Sequence, residues 1–126
     1  MKTGKIIPNG IMLEKHEYET ILFLTNLGYD IELIRPSNMP KMKTPDFNML
    51  GKSWEAKSPQ GKNLTTIEHA FKRAAKQSEN IILDLKRTKI PTKRAVEYIQ
   101  KLFNASRRVK NLLVITKENK LIDFRH

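Results

Sequence analysis

Thr44-Pro45-Asp46-Phe47-Asn48-Met49-Leu50-Gly51-Lys52-Ser53-Trp54-Glu55-Ala56-Lys57 is the stretch on which the reading of this chain turns. It holds Pro-Asp, eight intervening residues, then Glu-x-Lys. Asp46 to Leu50 and Ser53 to Ser58 read as two strands, joined by a tight hairpin turn at Gly51-Lys52. Side chains alternate along a strand, so Glu55 and Lys57 are expected on one face, Trp54 and Ala56 on the other. Asp46, at the start of the partner strand, can be brought opposite them. Two hard oxygen ligands, Asp46 and Glu55, would hold Mg²⁺ or a similar divalent ion, with positions left for water and a phosphate oxygen. Such an ion stabilises developing negative charge and lowers the pKa of bound water. Lys57 would orient or deprotonate that water, or neutralise the pentavalent phosphate; the sequence leaves these roles open. The implied reaction is hydrolysis of a phosphodiester.

Upstream, apolar residues recur at helical spacing from Leu13 to Leu27, with Ile21 and Leu24 on the stripe and Tyr18 and Leu22 beside it. At 100° per residue Glu17 falls near the middle of that stripe and Glu19 on the polar side. A core-facing carboxylate is expensive without a partner. Glu17 is therefore a candidate third acid, with Glu19 in reserve. Gly28 supplies a helix stop. Tyr29 to Arg35 reads as a strand ended by Pro36, and Ser37 to Thr44 as a mobile loop. Residues 1–12 read as an irregular lead-in.

Downstream, Thr65 with Glu68 three residues on has the pattern of a capping box for a second helix. Its stripe is Leu64, Ile67, Ala70, Phe71, Ala74 and Ala75. Lys72, Arg73 and Lys76 lie away from the stripe and are expected to contact phosphates; Gln77, at its edge, is a weaker candidate for the site. Ile81 to Leu85 suits a central strand, and Asp84 within it a satisfied core polar group. Thr92 can cap a third helix burying Ala95, Val96, Ile99, Leu102 and Phe103. Asn111 to Thr116 and Leu121 to Phe124 close the chain as a strand pair around a polar turn. The order is α-β-β-β-α-β-α-β-β in a single domain over residues 1–126, an α/β sandwich around a mixed sheet.

Charge supplies a second clue. Lys and Arg number 24 against 13 acidic residues, a formal net charge of +11, which favours polyanionic partners. Lys86 to Lys110 holds nine basic residues, Arg87 and Arg94 among them, and one acidic residue, Glu97. No apolar run approaches the roughly 18–20 residues needed to cross a bilayer, and none near the start has signal-peptide length. The expectation is a protein acting in the cytoplasm, with no membrane partner. No cysteine is present, which excludes disulfides and thiolate metal sites. His16, His69 and His126 are too scattered to form a ligand set. Phe47 and Trp54 read as core rather than as base-stacking platforms, and no Gly-rich phosphate loop is found.

At Pro45-Asp46 and Glu55-Ala56-Lys57 the sequence resembles the PD-(D/E)xK nuclease superfamily. That resemblance implies a restriction-endonuclease-like α-β-β-β-α-β core over about residues 13–85, with the last helix and strand pair as elaborations and the first-helix glutamate at Glu17. Within the superfamily, "HEYETILFLTNLGYDIELIRPS", "KTPDFNMLGKSWEAKSP" and "TIEHAFKRAAKQSENIILDLKRTK" look like the C-terminal tRNA-nuclease domains of CdiA-type contact-dependent growth inhibition toxins. The likeness implies a metal-dependent RNase acting on tRNA and restrained by an immunity protein. A DNA endonuclease of the same fold, a noncatalytic nucleic-acid-binding module and a protein docking an acidic immunity-like partner are the alternatives.

Overall fold

A computed structural model describes residues 3–36 and 44–125. The described residues form seven strands and three helices, a mixed α/β arrangement. Two compact units divide the chain, Met1–Trp54 and Glu55–His126. The expected loop at Ser37 to Thr44 lies outside the described residues except for Thr44, and His126 lies outside them too.

In the first unit, β1 (Ile6–Ile7) pairs parallel with β2 (Ile31–Leu33), and β2 pairs antiparallel with β3 (Phe47–Met49). β3 in turn pairs antiparallel with the first half of β4 (Lys52–Lys57). β1 replaces the irregular lead-in. It is tied down by the Gly4 N–H on Thr25 O and the Lys5 N–H on Asp30 Oδ1, at 2.6 and 2.8 Å. A side chain at position 4 would collide with the Tyr29 carbonyl, so only glycine permits this approach.

α1 (Lys15–Asn26) buries Thr20, Ile21, Leu24 and Thr25. Tyr18, Leu22 and Leu27, expected on or beside the stripe, are exposed. Gly28 ends the helix as its composition predicts. With φ +101 it lets its own N–H reach Thr25 O and the Tyr29 N–H reach Leu24 O, the paired bonds of a Schellman stop. The hairpin is present, but its turn is Leu50-Gly51 rather than Gly51-Lys52: Met49 pairs with Lys52, and both turn residues have positive φ, 56 and 72. A two-residue turn of this kind needs left-handed backbone at both positions, which glycine tolerates and leucine resists.

The second unit is built on parallel strands. β4 pairs with β5 (Asn80–Asp84) and β5 with β6 (Asn111–Ile115), while β7 (Leu121–Phe124) returns antiparallel to β6. Parallel neighbours need crossovers, supplied here by α2 (Leu64–Gln77) and α3 (Thr92–Ala105). Ile67, Phe71 and Ala74 of α2, Ala95, Ile99 and Phe103 of α3, and Ile81, Leu83, Leu112 and Val114 of the strands form one core. Phe103 and Phe124 meet edge to face, with centroids 6.1 Å apart.

Two helix starts differ from expectation. The Thr65–Glu68 capping box does not form; the helix begins at Leu64 after Asn63, and the Glu68 carboxylate accepts the Tyr98 hydroxyl at 2.8 Å. A tertiary partner on α3 thus outcompetes the local cap. Thr92 is the first residue of α3 rather than its cap, and its hydroxyl donates to Glu118.

Candidate active site

Register fixes which side chains share a face. Glu55 pairs with Ile81 and Lys57 with Leu83, so the acid and the amine project to the face on which Ile81 and Leu83 meet α2 and α3. Alternation along β4 therefore places Glu55 beneath a helix. Its residue exposure is 2%, low for a carboxylate, and burial at that level requires compensating polar contacts. They come from two directions. Lys57 Nζ lies 3.2 Å from Glu55 Oε2, and the Gln77 amide donates to the same oxygen at 3.0 Å. Lys57 itself is 30% exposed and so links the buried acid to the surface.

Gln77 is the last residue of α2, and the end of that helix is secured by a residue the sequence did not single out. Arg108 donates from Nε to Ala75 O and from Nη2 to Lys76 O, the latter at 3.2 Å, covering carbonyls left over at a helix C-terminus. Arg108 stood only as one of nine basic residues in its segment, and nothing local in the sequence marks it as a cap.

The other candidates fall as follows. Asp46 lies in the first unit just before β3; it is half-buried, and its backbone N–H donates to Trp54 O at 2.9 Å. Glu17 does not face the core. It is exposed, and its carboxylate accepts the Glu14 N–H at 2.9 Å, closing the first turn of α1. Periodicity puts it in line with Ile21 and Leu24, but the buried part of the helix begins only at Thr20. Glu19 is exposed, on the polar side as expected. Phe47 and Trp54 are core, and the Trp54 indole donates to Met49 O. Asp84 is buried and accepts the Lys86 N–H at 3.0 Å.

Lys72, Arg73, Lys76 and Arg94 are exposed and Arg87 is partly so, while Lys72 is paired with Glu68 at 3.5 Å. The Tyr98 hydroxyl, with Lys72 next in weight, holds the Glu68 carboxyl below its ordinary range; the same hydrogen bond pushes the Tyr98 phenol up. Among the described residues no group of three or more His, Cys, Asp or Glu gathers at one point, and no helix is long and apolar enough to cross a membrane.

The arrangement in the second unit is that of an α/β protein with a buried acid, an amine and an amide meeting under a crossover helix. By sequence the chain belongs to the family of contact-dependent growth inhibition CdiA C-terminal domains, whose profile matches residues 43–121. Its fold is similar to that of a solved CdiA-CT/CdiI toxin and immunity complex from Burkholderia pseudomallei. The TM-score is 0.74 at 17% identity, over 98% of this chain and 100% of that one. No curated protein matches the sequence.

Proposed function

We propose that this chain is a toxin domain that hydrolyses phosphodiester bonds of nucleic acid with a divalent metal ion, tRNA being the favoured substrate. The observation that carries the reading is the Glu55 carboxylate, buried and held by Lys57 and Gln77. A purely structural protein gains little from such a group, because a well-packed apolar trio is often as stable or more so. Membership of the CdiA C-terminal family and a net charge of +11 support a nucleic-acid substrate.

The donor chemistry fits Mg²⁺. This ion typically takes one or two carboxylates and completes its shell with water and phosphate oxygens, so a set of three protein acids is not required. Glu55 is the proposed ligand in the second unit. Asp46 joins it on its place in the Pro-Asp…Glu-x-Lys pattern, which also underlies the proposed kinship with PD-(D/E)xK nucleases. When bound, the ion would supply charge stabilisation and a more acidic water. Lys57, partly wet and beside the ligand, is proposed to hold the attacking water or the phosphate, and Gln77 to fix the rotamer of Glu55. By likeness to the solved toxin and immunity complex, an immunity protein is the proposed partner.

The test is incubation of purified protein with total tRNA and with plasmid, in Mg²⁺ or in EDTA. Cleavage should need the metal. Lys57→Ala should lower its rate by roughly 10²–10⁴-fold, and Gln77→Ala by roughly 10–100-fold. Cleavage that survives EDTA, or survives Glu55→Gln, removes the metal mechanism. Plasmid cut in preference to tRNA selects the DNA alternative, and binding without cleavage selects the noncatalytic module.

A further inference from the structure

Three parallel strands end at one edge of the second unit. Because β4, β5 and β6 run the same way, the segments that follow them, 58–63, 85–94 and 116–120, emerge side by side. Those segments hold eight basic residues against one acid, Glu118. Glu118 is itself engaged by the Thr92 hydroxyl.

The backbone ties the first two of these segments together. Gly61 and Thr88 form a parallel bridge, the Lys89 N–H donates to Gly61 O at 2.8 Å, and the buried Thr88 hydroxyl donates to the same carbonyl at 3.1 Å. Gly61 takes φ +94, which favours glycine at this crossing. From the third segment Lys117 reaches Ile90 O at 3.3 Å. Lys62 and Lys89 each directly follow a bridged residue and are exposed, as are Lys93 and Arg94 at the start of α3. None of these four takes part in an ion pair within 4.0 Å among the described residues.

Like charges gathered this closely repel one another and weaken the fold. Some basic residues elsewhere in the second unit have structural employment: Arg108 closes α2, and Lys72 pairs with Glu68. At this edge Lys62, Lys89, Lys93 and Arg94 make no such contact among the described residues, yet main-chain and side-chain hydrogen bonds hold three loops together to present them. We propose that this edge, with Lys62, Arg87, Lys89, Lys93 and Arg94 as its contacts, is the track that binds the phosphate backbone of the nucleic-acid substrate, ahead of the exposed face of α2. It rests on the proposed nuclease reading for the identity of the polyanion. Spaced cations on a fixed frame suit a repeating phosphate chain, and binding through them releases counterions.

The experiment uses Glu55→Gln protein in EDTA, so that binding is read without turnover. The probes are fluorescein-labelled mixed tRNA and a labelled DNA duplex, followed by anisotropy from 50 to 300 mM NaCl. Lys62→Gln/Lys89→Gln/Lys93→Gln should flatten the slope of log K against log salt for both probes by about two to three, since each lost phosphate contact removes about 0.7–0.9. Affinity for tRNA near 150 mM should fall at least tenfold. The control, Lys101→Gln/Arg107→Gln/Lys110→Gln, removes equal charge at the end of α3 and beyond it, and should change affinity less than threefold. Equal losses from the two triples would overturn the track, since binding would then follow net charge alone. So would an edge triple whose binding to tRNA and to the duplex is unweakened. Failure of wild-type protein to cleave in Mg²⁺ would defeat the nuclease reading instead, and leaves the binding result to be judged separately.

Discussion

Replacing Lys57 by methionine isolates what holds a charged group beneath α2. The ammonium sits 3.2 Å from Glu55 Oε2, so at an effective dielectric of about 20 the direct attraction is about 5 kcal/mol. Much of that is offset. The Lys57 side chain is 30% exposed and screened by solvent, and methionine retains its apolar stem, whereas Glu55 at 3% cannot recover its hydration. Removing one partner of a fully buried pair costs about 3–5 kcal/mol; with Lys57 partly wet, a loss of about 2–3 kcal/mol is expected. The double variant Glu55→Gln/Lys57→Met should recover most of it, ending within about 1 kcal/mol of the parent, because no uncompensated charge then remains. Urea denaturation at pH 7, with unchanged m-values as the check on cooperativity, measures all four corners of the cycle. A Lys57→Met loss below about 0.5 kcal/mol, or a double variant as unstable as the summed singles, refutes the view that Lys57 compensates the burial of Glu55.

Leu50→Asn should raise the melting temperature by roughly 3–5 °C, since Leu50 is 61% exposed and its left-handed backbone costs about 1 kcal/mol that asparagine avoids; a lower melting temperature would count against a strained turn. Gly4→Ala should cost about 1–3 kcal/mol by forcing β1 away from Tyr29, seen as faster exchange of the Ile31 amide that donates to Lys5 O; unchanged exchange would contradict it. Tyr98→Phe should change how stability depends on pH. The Glu68 carboxyl is lowered in the folded state, so its contribution is present above its unfolded pKa and is lost as pH falls through the folded value. The variant should therefore lose less stability on acidification than the parent, and parallel melting-temperature curves from pH 7 to pH 3 would exclude the effect.

The parts of the fold readable from sequence were those governed by local chemistry. Gly28 stops α1 because the Schellman bonds need its backbone, and Ile81 to Asp84, all but the last residue of the expected run, lie in a strand because its β-branched core suits burial on both faces. The alternation that paired Glu55 with Lys57 is geometry internal to one strand. What escaped notice depends on distant partners. β1 is two residues long, too short for any period, and exists because Asp30 and Thr25 supply acceptors. Glu68 was drawn from its capping role by Tyr98, 30 residues on. Glu17 fits the helical period yet lies before the helix meets its core, since periodicity gives direction and says nothing of where packing begins. Gln77 was a weak candidate for the same reason: a residue at a stripe's edge has several possible neighbours, and only the register of β4 against β5 selects Glu55.

Helix termini open more readily than the cores they border. With Gln77 as the final residue of α2, unwinding a single turn would detach the amide from the carboxylate while Ile67 and Phe71 stay packed. Under the proposed nuclease reading, warming would then silence cleavage below the temperature at which the protein melts. The guanidinium of Arg108, latched over the last carbonyls of that turn, sets how wide the interval is.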